Sequence, residues 1–168
     1  MPIAQFAYNT QHRPILTVDA AGQTTSFSYN AGGQLLALTD PLGHKTQYQY
    51  NGTGDLTTIT NANNATARSF TYDAYDRIAT KTDSEGWTVA YAYDAADRVT
   101  AVTYPDGTSE RYVYDKLDLA SYQDRLGRKW VYAYDANGNL LTVTDPAGNG
   151  SHFAYSPNGN LTSITGTE

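Results

Sequence analysis

Large apolar and small polar positions alternate along this chain in short bursts, and the bursts recur. At Trp130, Tyr132 and Tyr134 rings alternate with Val131 and Ala133; at Trp87, Val89, Tyr91 and Tyr93 large side chains alternate with Thr88, Ala90 and Ala92. A period of two predicts a strand with a large-residue face and a small-residue face. Each burst ends in a tyrosine: Tyr8, Tyr29, Tyr50, Tyr72, Tyr93, Tyr114, Tyr134 and Tyr155, spaced 20 to 22 residues apart. Two residues before each stands another aromatic: Phe6, Phe27, Tyr48, Phe70, Tyr91, Tyr112, Tyr132 and Phe153. Self-similarity at a fixed short period predicts a repeat array. It does not point to a catalytic centre.

The segments between the bursts complete the unit. A turn follows each tyrosine, as in DANG from Asp135, NAGG from Asn30 and DAAD from Asp94. Asp and Asn side chains bond nearby backbone there, and Gly supplies positive φ; Asp stands in for Gly in some copies because it tolerates the left-handed region. A run rich in Thr and β-branched residues comes next, such as LLTVT from Leu140 or LTTIT from Leu56, and it predicts a second strand. A second turn closes the unit, with glycines at Gly22, Gly43, Gly86, Gly107, Gly127 and Gly148. Links this short make neighbouring strands antiparallel. The expected fold is all-β: one array over residues 1–168, about eight hairpin units of about 21 residues, forming a curved, spiralling sheet with no separate second domain.

Two irregularities and one ambiguity stand out. One residue is gained between Tyr50 and Tyr72 and one is lost between Tyr114 and Tyr134. Ala120 and Gln123 occupy positions that are apolar in other copies, so the unit around Tyr114 is expected to be the weakest. In the second strand, apolar residues sit both six and nine positions after the tyrosine, as Leu140 and Val143 or Leu35 and Leu38 do. Those are opposite parities, so they face opposite sides unless a bulge intervenes.

Charge and composition remove several classes of function. The net charge is −6, and the basic residues are scattered except for Arg125, Arg128 and Lys129, which argues against a nucleic-acid partner. There is no cysteine, hence no disulfide and no Cys-based metal or redox site. No apolar run approaches the ~20 residues of a membrane helix. The opening MPIAQFAYN lacks the basic and hydrophobic regions of a signal peptide. Phe6 and Tyr8 already belong to the first copy, so both ends read as cuts through a longer protein.

Candidate chemistry is sparse. His12, His44 and His152 share no repeat position and no metal-ligand spacing. The repeated turn aspartates Asp19, Asp40, Asp83, Asp124 and Asp145 lack the spacing of a calcium loop and read as turn caps. No nucleophile elbow is present. No catalytic residue, metal or cofactor is expected. Trp87 and Trp130, near strand starts on the aromatic face, are the candidates for stacking on a sugar ring or a nonpolar partner; ladder packing is the alternative. The sixteen paired aromatics are expected to form a stripe in which rings pack on their neighbours' rings.

The unit, aromatic-x-Tyr-Asp/Asn-x-x-Gly-x-Leu-x-x-Val-Thr-Asp-Pro-x-Gly, resembles the YD repeat, also called the RHS repeat. YAYDANGNLLTVTDPAG, FSYNAGGQLLALTDPLG and YAYDAADRVTAVTYPDG carry the likeness most clearly, and it covers residues 5 to about 165. The resemblance implies a segment of a hollow β-shell, as in bacterial RHS polymorphic toxins, the C components of insecticidal toxin complexes and teneurin-like shells. Such a shell encloses a toxin or other cargo, which implies as partners the rest of the shell and its cargo, and a secreted or cell-surface bacterial parent. The family is also associated with carbohydrate binding, so a glycan-binding module is the second expectation. Nothing here matches the family's self-cleavage core, so no activity is carried over. An open sheet has unpaired edges, and edge-to-edge self-association is expected.

Overall fold

The computed structural model describes residues 4–166. Sixteen strands and no helix occur among them, and within each compact unit the strands follow one another in chain order, each antiparallel to the last. The chain divides into two compact units, Met1–Thr88 and Val89–Glu168. The first contains β1 (Ala4–Tyr8), β2 (Pro14–Asp19), β3 (Thr24–Tyr29), β4 (Leu35–Thr39), β5 (Lys45–Tyr50), β6 (Leu56–Thr60), β7 (Thr66–Tyr72) and β8 (Ile78–Asp83). The second contains β9 (Thr88–Tyr93), β10 (Val99–Thr103), β11 (Ser109–Asp115), β12 (Asp118–Gln123), β13 (Lys129–Tyr134), β14 (Leu140–Thr144), β15 (Gly150–Tyr155) and β16 (Leu161–Gly166).

All the turns but the one between β11 and β12 share one geometry. Asp40 is typical: its N–H donates to the His44 carbonyl at 3.0 Å and its carbonyl accepts from Gly43 N at 3.0 Å. Its Oδ1 accepts from Leu42 N at 2.9 Å and His44 N at 2.8 Å. This arrangement places the fourth turn residue in the left-handed region. The glycines Gly22, Gly43, Gly86, Gly107, Gly127 and Gly148 take it with φ between 79° and 90°; Asp76 and Asp97 take it at 60° and 61°, where a residue with a β-carbon is tolerated best if it is Asp or Asn.

The parity ambiguity has a single answer. In each first hairpin the register slips by one residue just before the tyrosine. Phe27 opposes Leu38 and Ser28 opposes Ala37, but Tyr29 opposes Leu35, leaving Leu36 unpaired. The same bulge recurs opposite Tyr8, Tyr50, Tyr72, Tyr93, Tyr114, Tyr134 and Tyr155. One extra residue reverses side-chain parity. The apolar residues six and nine positions after the tyrosine therefore share its face, each opposite one of the two aromatics.

The gained residue lies within a strand. Ile59 opposes Arg68 and Thr60 opposes Thr66, so Ala67 bulges from β7 while the preceding turn keeps its usual bonds, with Asn61 N to the Ala65 carbonyl at 2.9 Å. The lost residue shortens a turn: Asp115 opposes Asp118 across Lys116 and Leu117, with Lys116 at φ 52°. This shift corrects the expectation for the unit around Tyr114. Leu119 opposes Tyr114 and Tyr122 opposes Tyr112, so the apolar positions are filled. Ala120 is the bulge residue, and Gln123 opposes Lys129. The supposed weakness loses its basis.

Burial is shallow, as a single layer requires. Ala37 and Val102, each 8% exposed, are the buried apolar residues, and no described side chain is fully buried. A layer normally buries its apolar face against a second layer. Within each unit none of the described residues supplies one.

Candidate functional site: the aromatic face and its turns

Along the aromatic face, four of the repeat tyrosines tie their copy to the one before. Tyr29 Oη donates to the Pro14 carbonyl at 2.9 Å, Tyr50 to Leu35 at 2.9 Å, Tyr72 to Leu56 at 2.7 Å and Tyr134 to Leu119 at 3.2 Å. Each acceptor is the residue that opposes the preceding tyrosine. The reach is 15 residues except for Tyr72, where Ala67 makes it 16. In these four copies the bond gives the second aromatic a use for its hydroxyl, which bears on a contrast visible in the sequence. The second aromatic is tyrosine in all eight copies, whereas the first is phenylalanine at Phe6, Phe27, Phe70 and Phe153. Burial raises the pKa of Tyr50, Tyr72 and Tyr134 above the ordinary value, with nearby Tyr48, Asp55 and Asp118 respectively adding to it.

Rings and aliphatic side chains interleave across the strands. Phe27 opposes Leu38, Tyr48 opposes Ile59, Tyr91 opposes Val102 and Tyr132 opposes Val143. Ring-on-ring contact is concentrated where Tyr122 replaces the aliphatic residue. Tyr112 and Tyr122 have centroids 5.2 Å apart, and Tyr122 and Trp130 stack at 5.6 Å. In the first unit, Phe6 and Tyr8 lie 6.3 Å apart along one strand. Tyr112 Oη donates to Glu110 Oε2 at 3.0 Å, and burial, that bond and the Glu110 charge push its pKa up to about 12. The same carboxylate lies within electrostatic reach of Tyr104 and Tyr122, and burial followed by that charge raises both.

Guanidinium groups cover several rings. Arg13 lies over Tyr29 at 5.7 Å, Arg98 over Tyr114 at 4.2 Å and Arg125 over Tyr104 at 4.1 Å. Arg125 also pairs with Asp106 at 2.6 Å. The two tryptophans are not equivalent. Trp130 is inside β13, between Tyr122 and the Arg128 guanidinium at 5.7 Å. Trp87 ends a turn, donates its backbone N–H to Asp83 Oδ1 at 2.9 Å and is 59% exposed.

The turn aspartates act on their own loops. Side-chain bonds from Arg77, Arg98, Asn139 and Asn149 hold Asp73, Asp94, Asp135 and Asp145 below the usual carboxylate range, with turn N–H groups adding to this. His44 Nδ1 meets Asp40 Oδ2 at 2.9 Å; His12 is a fourth turn residue with φ 58°; His152 opposes Thr142 and Thr165. The three histidines occupy separate places. Among the described residues no group of three or more His, Cys, Asp or Glu is arranged to hold a metal.

Known proteins place this geometry. The family model described as RHS Repeat matches residues 8–45, 29–66, 72–109, 114–149 and 134–168. No curated protein matches the chain in sequence. Among solved structures, the chain is similar to one titled as the crystal structure of TcdB2-TccC3-Cdc42, with TM-score 0.73 at 17% identity over 98% of this chain and 11% of that one. It is also similar to the Tc holotoxin pore of Photorhabdus luminescens carrying a TccC3 mutation, with TM-score 0.65 at 20% identity over 86% of this chain and 9% of that one. A TcdB2-TccC3 crystal structure matches with TM-score 0.53 at 13% identity over 100% of this chain and 12% of that one. The chain thus spans about a tenth of the length of these structures. Matched over most of its length by tandem copies of one model, and folded as tandem hairpins with a repeated tyrosine lock, the chain belongs to the RHS repeat family.

Proposed function

We propose that this chain is a non-catalytic segment of wall, one continuous array of about eight repeats, in a secreted bacterial protein whose hollow β-shell encloses a toxin or other cargo. The observation that supports this most is the combination, within each compact unit, of an unlayered aromatic face with tyrosine bonds from one copy to the one before. Such a sheet gains stability by nearest-neighbour terms, and length costs it nothing in core design. The similarity to toxin-complex structures at the level of fold agrees with it. The partners are then the flanking repeats and the enclosed chain. Phe6 and Tyr8 on β1 are each 57% exposed, and Leu161 and Ile164 on β16 are 49% and 60% exposed. Where flanking repeats are missing, these edges pair with a second copy.

The test is limited proteolysis of the full gene product that carries this segment, alongside electron microscopy of the same sample. A hollow particle with a protease-resistant enclosed segment is expected, and joint replacement of Tyr50, Tyr72 and Tyr134 by alanine should open it to digestion. A solid or extended particle, or a cargo segment digested equally fast with and without the replacements, overturns the reading.

Glycan binding is the second reading, and the exposure of Trp87 is what favours it. Trp130 is already engaged by Tyr122 and the Arg128 guanidinium and is the poorer platform. Quenching of tryptophan fluorescence by sugars that disappears in Trp87→Ala would establish it; silence across a glycan panel would remove it.

A further inference from the structure

One position in the repeat provides a template for a missing side chain. In three copies the residue just before the tyrosine's cross-strand partner, Arg13, Gln34 or Arg98, reaches over the next copy. Arg13 precedes Pro14 and covers the Tyr29 ring. It also lies so close to Gly33 that a β-carbon there would come within 2.5 Å of Nε. Gln34 precedes Leu35, and its Nε2 donates to the Gly54 carbonyl at 2.7 Å. Arg98 precedes Val99, covers the Tyr114 ring at 4.2 Å and donates from Nη1 to the Lys116 carbonyl at 2.5 Å. In the next copy the same place is held by Asp118, which precedes Leu119. Its Oδ1 would stand 4.0 Å from a β-carbon on Gly138. A carboxylate on one methylene is too short to cover the Tyr134 ring as arginine covers Tyr29 and Tyr114.

A cavity of about 310 Å³ is present at that place, lined by Asp115, Asp118, Ala120, Tyr134, Asp135 and Gly138 among others. Three sequence features open it. The turn between β11 and β12 is one residue short. Ala120 stands at the bulge position that Leu36 and Leu141 hold elsewhere. Asp118 stands where Arg13 and Arg98 stand. The Asp135 carboxylate is taken up by its own turn, accepting from Asn137 N at 2.8 Å, Asn139 N at 2.9 Å and Asn139 Nδ2 at 2.8 Å. Asp118, half-buried, has no ion-pair partner among the described residues. Lys116 also lines the cavity but is exposed. Asp55, the other aspartate at the template position, differs: its Oδ2 accepts from Thr53 Oγ1 at 2.7 Å and Asn51 Nδ2 at 3.0 Å.

We propose that this cavity receives an arginine side chain from another polypeptide, which supplies in trans the guanidinium that Arg13 and Arg98 supply in cis. A planar guanidinium stacks on a tyrosine face, and its donor fork matches a carboxylate. The net charge of −6 favours a basic partner. The proposal stands apart from the wall reading and does not depend on it.

The test is NMR titration of the chain with acetyl-arginine amide, following the ring signals of Tyr134. A saturable shift is expected. Acetyl-citrulline amide, equal in shape and uncharged, should bind at least about tenfold more weakly, as should acetyl-arginine amide to Asp118→Asn. Asp118→Arg should fill the cavity from within and abolish the response. No saturable shift, equal binding of the citrulline probe, or an undiminished response in Asp118→Arg would each overturn the assignment.

Discussion

Tyr72 and Phe70 lie two residues apart on one face of β7, yet a single oxygen divides their roles. The Tyr72 hydroxyl satisfies the Leu56 carbonyl of the previous copy at 2.7 Å; Phe70 contributes area alone, opposite Lys81. Tyr72→Phe should therefore cost about 1 kcal/mol, the usual net worth of such a bond with some penalty for the orphaned carbonyl. Urea denaturation should show a lower midpoint at unchanged slope. A loss within a few tenths of a kcal/mol would mean that water replaces the phenol. The asymmetry between the two positions was written in the sequence, since the second aromatic never loses its oxygen in eight copies. Its acceptor was not, because naming the Leu56 carbonyl needs the cross-strand register, and one strand's alternation does not contain it.

At the scale of an element, the β11–β12 hairpin shows how far local pattern reaches. Counting forward from Tyr114 put Ala120 and Gln123 on the apolar face, and the shortened turn moved the count by one. The strands themselves, their turns and the αL residues were legible because each is set by chemistry within five positions. The bulges were not, since two parities on one strand fit either a two-sided strand or a one-sided strand with an extra residue. With the corrected register, Tyr122 stacks on Trp130 and packs at a tilt against Tyr112, which bonds Glu110. The Tyr112 pKa of about 12 against an ordinary value near 10 has a definite sign. The unfolded chain ionises first, so the contribution is intact below pH ~10 and is lost as pH rises toward about 12. Phenolate absorbance during alkaline titration should show a late-titrating class, and Glu110→Gln should bring it earlier. A titration in which every tyrosine ionises together near pH ~10 would contradict this.

For the molecule as a whole, the consequence of having no second layer within either unit is that stability resides in contacts between successive copies. Strands flanked on both sides should exchange their amides slowly, and β1 and β16 fastest. The exposed edge should also govern association. Ile164→Lys, placing a charge on β16 where Ile164 is 60% exposed, should shift light-scattering mass toward monomer across a concentration series; unchanged oligomers would locate the contact elsewhere.

The recurring bulge has one more effect. A sheet built purely on alternation would be ruined by the gain or loss of a single residue, since every later side chain would change sides. Here the unit's length already includes a parity reversal, and the chain shows two further reversals, at Ala67 and at Lys116–Leu117, each absorbed before the next tyrosine. Miscounts are corrected within the copy in which they arise. Such a chain can accumulate length errors through its history and still present its rings to one side.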